Sequence, residues 1–245
     1  MTQSHGTALI IGAGAAGLAT AALLAKDGYG VVVVDKLDSV GGRSGELVVN
    51  GFRFDTGPSW YLMPDAFDHF FGLFGRRTSD VLDLVDLTPA YRLFPERHEP
   101  IDVPSGRDAA TDLFESIEPG AGDELAAYLD SAAEAYEMAV EHFLYTTFSS
   151  ITPFVAQPVR QQYRKLLGYL TQPLDRFVAQ RFSDMRLRQM LTYPAVFLSS
   201  HPSRTPSMYH LMSHTDLAQG VRYPQGGFTA VMRALADLAL SLIHI

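Results

Sequence analysis

The first 43 residues constrain the fold of this chain more than any other part. An apolar run over residues 7–11 is followed at once by GAGAAG, then by an Ala/Leu-rich stretch to Gly28 and a β-branched run that ends at Asp35. A GxGxxG pattern alone is weak evidence. Here it follows a predicted strand, opens a predicted helix and precedes an acid by 18 residues, which is typical of a dinucleotide-binding βαβ unit.

Each residue type in this pattern suits a phosphate ligand. Gly12 permits the tight turn, Gly14 leaves room for a pyrophosphate, and Gly17 lets the helix pack closely on the strand. The helix N-terminus offers free N–H groups and a partial positive charge. Asp35 would accept hydrogen bonds from a ribose and repel a 2′-phosphate. The alternative, a packed Gly/Ala-rich helix without a ligand, explains neither the two strands nor the acid.

Composition narrows the class of protein further. The stretch from Ala8 to Ala25 has no charged residue, but no Lys or Arg precedes it, and three spaced glycines suit a turn. We therefore expect no signal peptide and no transmembrane segment. The absence of cysteine fits the cytosol, and the net charge of −8 argues against a nucleic-acid partner.

The rest of the chain alternates short strand patterns with longer helical ones. Strands are expected at residues 51–55 after an Asn-Gly turn, in pieces within the proline-rich stretch 76–105, and at 221–224. Helices are expected at residues 123–145, 158–170 and 173–192, and after the glycine pair 226–227.

Two further patterns leave their function open. Residues 160–188 carry seven basic against two acidic side chains, with aromatic residues interleaved. Such a stretch can rest on anionic lipid headgroups or can be an ordinary solvated helical face, and the sequence does not separate the two. His210 and His214 are four residues apart, but Leu211 stands where a zinc protease has glutamate, so we predict no metal site.

Several segments resemble known flavoproteins. The sequence GGR at 41–43 resembles the glycine pair and arginine of the two-dinucleotide-binding-domain flavoproteins. The segment DTGPSWYLMP at 55–64 is similar to the bacterial phytoene desaturase family of carotenoid oxidoreductases, as are FESIEPG at 114–120 and YPQGGF at 223–228. The resemblance covers residues 7–239. It implies an α/β fold, in which a Rossmann-like FAD/NAD(P)-binding domain is joined to a mixed, largely helical substrate domain.

The resemblance also implies a division of the chain. We expect residues 1–75 to be the N-terminal part of the FAD-binding domain, 76–220 a substrate and membrane-contact domain, and 221–239 the return to the core. Family members are roughly twice as long, so the chain is expected to be a truncated fragment. Residues 240–245 match one reading frame of a transposase adapter used in DNA library preparation and are expected to be a non-native tail.

The resemblance implies FAD as the cofactor. Many relatives carry Glu where this chain has Asp35, and Trp60 is equally explained as a core aromatic residue. The expected FAD-binding residues lie in four segments: Gly12, Gly14, Ala15, Ala16 and Gly17 at the pyrophosphate; Asp35 and Lys36 at the adenosine ribose; Gly41, Gly42 and Arg43 along the cofactor; and Gly57, Pro58, Ser59 and Trp60 near the isoalloxazine.

The implied reaction is dehydrogenation of phytoene or a related polyene in carotenoid biosynthesis. The flavin would take a hydride equivalent from an allylic carbon, so the protein mainly supplies orientation and an apolar tunnel, and we name no catalytic acid or base. The expected partners are a hydrophobic polyene and a membrane surface, contacted peripherally from the cytoplasm. The alternatives are another flavoprotein of this architecture (amine oxidase, protoporphyrinogen oxidase, carotenoid isomerase or ketolase) or a non-catalytic nucleotide-binding fragment.

Overall fold

A computed structural model describes residues 5–147, 149 and 163–242. The chain divides into two compact units. The first unit runs from the N-terminus to Asp86 and resumes at Arg222, and the second unit is the continuous segment Leu87–Val221. The second unit is therefore an insertion into the sequence of the first.

The first unit begins with β1 (Thr7–Ile11), α1 (Ala15–Lys26), β2 (Gly30–Val34), β3 (Glu46–Val49), β4 (Phe52–Asp55), α2 (Pro64–Gly72) and β5 (Leu84–Asp86). The second unit contains β6 (Tyr91–Leu93), β7 (Ile101–Val103), α3 (Arg107–Ile117), α4 (Ala121–Ala139), α5 (Tyr163–Thr171), α6 (Leu174–Ala179) and α7 (Met185–Thr192). The chain returns to the first unit as β8 (Arg222–Pro224) and α8 (Thr229–Leu242).

The first boundary between the units differs from the expected one. It lies after Asp86 rather than after residue 75. The reason is that β5 pairs antiparallel with β8, from Leu84 opposite Pro224 to Asp86 opposite Arg222. A three-residue strand whose partner is far along the chain has no local signature, so the sequence does not show it.

The βαβ unit at the N-terminus is confirmed. Strands β1 and β2 are parallel and in register from Thr7–Gly30 to Ile11–Val34. Helix α1 packs against α8, and small residues such as Ala21 and Ala22 are completely buried. Small side chains on α1 allow this close helix packing.

The predicted Asn-Gly turn joins β3 and β4. Asn50 and Gly51 both have positive φ angles, 52° and 84°, which is the backbone of a two-residue hairpin loop. The pairing runs from Val49 opposite Phe52 to Glu46 opposite Asp55. The hairpin therefore ends at Asp55, and the segment 56–64 follows directly from it.

The second unit has its own hydrophobic core. Helix α4 contributes Leu125, Tyr128 and Leu129 at helical spacing, all fully buried, and it ends in a π-helical turn over Val140–Leu144. Helices α3, α6 and α7 and the antiparallel pair β6–β7 supply most of the remaining core residues. Part of the helix predicted at 158–170 lies outside the described residues. Among the residues that the structure describes, no helix is both long and apolar enough to cross a bilayer.

Candidate cofactor site

Two glycines of the GAGAAG loop are required by the loop itself. Gly12 has a φ angle of 111°, a conformation that L-residues rarely adopt. At Gly17, a Cβ atom would lie 1.9 Å from the carbonyl oxygen of Gly12. The close approach of α1 to the end of β1 therefore depends on both glycines.

Gly14 is different, because the protein around it leaves open space. Its backbone is extended, with a φ angle of −84°, and the nearest atom to an added Cβ would be the Gly41 carbonyl oxygen at 3.9 Å. Within α1, the Leu18 N–H bonds back to the Gly14 carbonyl at 2.9 Å, so the preceding N–H groups of the first turn have no helical acceptor. This open cradle of N–H groups fits a pyrophosphate.

Asp35 is bound to the glycine loop. Its Oδ2 accepts the Ala13 N–H at 2.7 Å, and its Oδ1 accepts the Leu37 N–H at 2.8 Å. These two hydrogen bonds hold the pKa of the Asp35 carboxyl below its usual range, so the group is charged at neutral pH. A carboxylate has further lone pairs, so ribose hydroxyls can still bind it.

The second glycine pair lies against the first loop. Gly41 has a φ angle of 123°, and its N–H donates to the Ala13 carbonyl at 2.9 Å. An added Cβ on Gly42 would be 3.4 Å from the Gly14 Cα. An added Cβ on Gly41 would instead lie 3.0 Å from the Ser44 carbonyl oxygen. Gly41 is thus favoured by its own turn, and Gly42 by its approach to Gly14.

The third segment contacts the second at Gly57. A Cβ atom at Gly57 would lie 2.0 Å from the Arg43 carbonyl oxygen, and the Thr56 N–H donates to the Gly45 carbonyl at 3.0 Å. The structure thus brings the GAGAAG loop, the GGR turn and the start of the 57–60 segment together. Of the other predicted site residues, the exposed ones are Ala15, Ala16, Lys36, Arg43 and Pro58, and the half-buried ones are Ser59 and Trp60.

Asp55 is a site residue that sequence reasoning missed. Its Oδ1 accepts the Phe228 N–H at 2.8 Å, and its Oδ2 accepts the Tyr223 hydroxyl at 3.2 Å. Asp55 therefore ties the segment 55–64 to the turn before α8. The segments 55–64 and 223–228 both carry the family resemblance, but the sequence does not show that the Asp55 carboxylate joins them.

Comparisons with known proteins agree with this geometry. Residues 10–76 match the model of the NAD(P)-binding Rossmann-like domain. A carotenoid 3,4-desaturase of Haloarcula japonica is 39% identical over 239 residues, which is 95% of this chain and 47% of that protein. A zeta-carotene-forming phytoene desaturase of Myxococcus xanthus is 32% identical over 94% of this chain and 44% of its own length.

This chain is similar to carotenoid and phytoene desaturases along nearly its whole length. A third desaturase-family relative, a 4,4'-diapophytoene desaturase of Staphylococcus aureus, is 30% identical over 94% of this chain and 45% of its own length. The chain thus spans about half the length of these relatives.

Solved structures confirm the fold. A cyclohexylamine oxidase from Brevibacterium oxydans aligns over 97% of this chain and 49% of its own, with a TM-score of 0.57 at 18% identity. An oxidoreductase from Methanosarcina mazei gives 0.57 at 17% identity over 97% of this chain and 50% of its own. At such identities the likeness shows the fold alone, and the predicted Rossmann-like α/β architecture is confirmed.

In the second unit, the segment FESIEPG, residues 114–120, has a structural role. The Glu118 carboxylate accepts the N–H groups of Ser183, at 3.0 Å, and Asp184, at 2.8 Å, at the start of α7. The Glu115 carboxylate accepts those of Gly120, at 2.9 Å, and Gly122, at 3.1 Å. These bonds lower the pKa of both carboxyls, so both acids are charged and serve as backbone acceptors.

A buried carboxyl in the second unit also escaped the sequence analysis. Asp216 is 2% exposed, and its Oδ2 accepts hydroxyls from Tyr193 at 2.8 Å and Tyr91 at 3.4 Å. Its Oδ1 is buried without a hydrogen-bond partner among the described residues. Burial raises the pKa of Asp216 to about 6. No pattern in the sequence marks this cluster, because its three members lie far apart along the chain.

The histidines at 210 and 214 form no metal centre with other ligands in the described part of the chain. His210 is buried against the rings of Tyr128, Tyr169 and Phe177, and its Nδ1 contacts the Ser207 carbonyl at 2.8 Å. Burial lowers the pKa of His210 to about 4, so the ring is neutral at physiological pH. Its role is to fill the core.

Proposed function

We propose that the protein is an FAD-dependent desaturase that dehydrogenates phytoene or a related polyene. The observation that carries this proposal is the match over 94–95% of the chain to three relatives, which are named as a carotenoid, a phytoene and a diapophytoene desaturase. The open cradle at Gly14 supports it, because the fold leaves a space there that a pyrophosphate would fill.

The proposed roles of the site residues follow from their positions. The N–H groups of residues 14–17 would bind the pyrophosphate, Asp35 the ribose, and Arg43 would offset phosphate charge. A bound flavin supplies the hydride acceptor for an allylic C–H bond. The chain's own groups bind and orient, and we assign no proton transfer to any of them. Lys36 and the segment 57–60 remain proposed as cofactor contacts.

Product analysis tests this proposal. The protein is expressed in cells that accumulate phytoene, the pigments are separated, and the purified protein is examined for flavin absorbance. We expect flavin in the protein and more highly unsaturated carotenoids in the cells. If flavin-loaded protein leaves phytoene unchanged and oxidises an amine, the protein is an amine oxidase and not a desaturase. Protein without flavin would favour a non-catalytic fragment.

We also propose that the second unit contacts a membrane surface, from which a water-insoluble polyene has to be collected. The basic residues of 160–188 offer less free charge than the sequence suggests, because several are paired. Arg160 lies outside the described residues. The ion pairs are Lys165 with Glu134, Arg181 with Glu124 at 3.1 Å, and Arg186 with Asp184 at 2.7 Å.

Helix α5 offers a better candidate for this contact. Tyr163, Leu167 and Leu170 are spaced to lie on one face of the helix and are 59%, 49% and 54% exposed. Arg164 is exposed beside them. A helix with exposed apolar and basic side chains can lie in a lipid interface. The membrane contact thus rests on apolar side chains as much as on charge.

Vesicle flotation tests this contact. Replacing Tyr163, Leu167 and Leu170 by serine is expected to reduce the fraction of protein that floats with anionic vesicles, without changing flavin content. The matched control replaces three equally exposed apolar residues of the first-unit hairpin, Leu47, Val49 and Phe52. Equal flotation of the α5 variant and the wild type would place the membrane contact elsewhere.

A further inference from the structure

A second groove lies on the surface of the second unit, apart from the cofactor loops. It has a volume of about 290 Å³ and lies between α6, α7 and the turn that follows Ser200. Its lining includes three basic side chains, Arg176, Arg188 and His201, and one acidic side chain, Asp175. The groove therefore has a net positive lining in a protein whose net charge is −8.

The two arginines of this groove have hydrogen-bond donors that no described residue uses. The Arg188 Nε donates to the Phe182 carbonyl at 2.6 Å, which fixes one edge of the guanidinium. Its terminal nitrogens have no hydrogen bond within the described part of the chain. Arg176 is exposed, and its side chain likewise has no ion pair with any described residue. A planar guanidinium fixed at one edge is suited to a two-pronged contact with an oxyanion.

The ring of His201 also has a donor available. Its Nδ1 accepts the Ser203 N–H at 3.2 Å, so the neutral ring carries its proton on Nε2. The Asp175 Oδ1 accepts the Arg176 N–H at 2.7 Å. The acid is thereby partly occupied by backbone, whereas the three basic groups keep donors for a ligand.

Size and surroundings indicate the kind of ligand. A volume of about 290 Å³ is at the small end of ligand pockets and is too small for a long polyene. Met185 lines the groove and is 61% exposed, and the chain continues from the groove residue Thr192 to Val196 and Phe197, which are 69% and 49% exposed. Basic donors next to exposed apolar side chains are the combination that a lipid headgroup needs.

We propose that the groove of Arg176, Arg188 and His201 binds a phosphate group, carried by an anionic phospholipid or present as a free diphosphate. The lipid form of this proposal rests on the proposed membrane contact, whereas the free form does not. No residue of the groove belongs to the cofactor loops, so flavin content should be independent of it.

The test compares Arg176→Gln with Arg204→Gln. Arg204 is an exposed arginine of the same unit outside the groove. Binding is measured to vesicles of phosphatidylcholine with phosphatidic acid, to vesicles whose equal negative charge comes from oleic acid, and to diphosphate by calorimetry. We expect Arg176→Gln to bind phosphatidic acid vesicles about fivefold more weakly, Arg204→Gln to match the wild type, and oleic acid vesicles not to discriminate between the variants.

A second variant tests phosphate geometry. Arg188→Lys keeps the charge but loses the planar fork, so it should weaken binding to phosphatidic acid and not to oleic acid. Loss of diphosphate binding in the Arg176 and Arg188 variants would extend the site to free phosphate. Equal behaviour of Arg176→Gln and Arg204→Gln towards both phosphatidic acid and diphosphate would overturn the proposal. If no vesicles bind at all, the membrane contact fails, and the diphosphate titration still decides the groove.

Discussion

Glycines of one loop can be required by the fold or by a ligand, and the GAGAAG loop contains both kinds. Gly17 has no room for a Cβ atom, whereas a Cβ atom on Gly14 would have no neighbour closer than the Gly41 carbonyl oxygen at 3.9 Å. A substitution at Gly14 therefore separates ligand binding from folding, which the sequence pattern by itself cannot do.

We expect Gly14→Val to keep the helical content and the midpoint of thermal unfolding close to wild type while losing flavin from the purified protein. The branched side chain would occupy the space that the pyrophosphate needs. Circular dichroism and the flavin absorbance spectrum measure the two quantities. In the comparison variant Gly17→Ala, the added Cβ would lie 1.9 Å from the Gly12 oxygen, so folding itself should suffer. Wild-type flavin content in Gly14→Val would refute the assignment.

Asp216 gives a prediction for pH. Burial raises its pKa in the folded protein to about 6 from an ordinary value of 3.8, so the folded state holds a proton that the unfolded state has released. The stabilisation of the folded state by protonated Asp216 is therefore fully present below pH 4 and is lost as the pH rises through 6. Relative to Asp216→Asn, wild-type stability should therefore fall by about 3 kcal/mol across this window. Urea unfolding at a series of pH values measures it, and a constant difference would contradict it.

At the residue scale, the sequence indicates which residues could bind a cofactor, but it does not show which protein groups those residues contact. It predicts Asp35 as a ribose ligand, but not its bond to the Ala13 N–H. Asp216 could not be predicted, because its environment is formed by Tyr91 and Tyr193, which tertiary packing alone brings to it.

Among the elements, the segment before α7 shows how a carboxylate from a distant part of the chain can fix the start of a helix. Glu118 follows α3 directly and binds the N–H groups of Ser183 and Asp184. Because these N–H groups precede the first turn of α7, the bond fixes the path by which the chain enters that helix.

We expect Glu118→Gln to lower the free energy of unfolding by about 1 kcal/mol at pH 7, because a charged acceptor becomes neutral. The pKa of Glu118 is depressed in the folded protein, so its contribution is present above the ordinary pKa of 4.5 and is lost as the pH falls below it. The variant and the wild type should therefore converge in acid. Glu137→Gln, on the exposed face of α4, serves as the control. Its free energy of unfolding should equal that of the wild type both at pH 7 and in acid.

The elements that the sequence predicts well have strong local patterns: the strands and helix of the βαβ unit, the Asn-Gly hairpin and α4. Helices α2 and α3 are not among the elements expected from the sequence, and β5 was expected only as one of several short strand pieces within 76–105. Helix α2 starts after Met63, a residue with a φ angle of 56°, inside a segment whose aromatic residues show no clear strand or helix period. Strand β5 exists only because β8 pairs with it.

At the scale of the whole molecule, the second unit is a continuous insertion whose ends meet. The Leu87 N–H donates to the Val221 carbonyl at 2.9 Å, and the core of this unit is formed by its own residues. We expect residues 87–221 alone to be helical and to unfold in one cooperative transition. Residues 1–86 alone should not, because α1 then lacks α8. Thermal circular dichroism measures both pieces, and a non-cooperative 87–221 would contradict this autonomy.

The nesting of one unit inside the other sets an order of events during synthesis. Helix α8, which covers Ala21 and Ala22 of α1, is the last described helix to leave the ribosome. The nascent N-terminal segment must therefore wait, with its alanine face uncovered, while the whole inserted unit is translated and can already fold. The cofactor loop, which is made before the inserted unit, thus gains the packing of α8 against α1 only after that unit has been made.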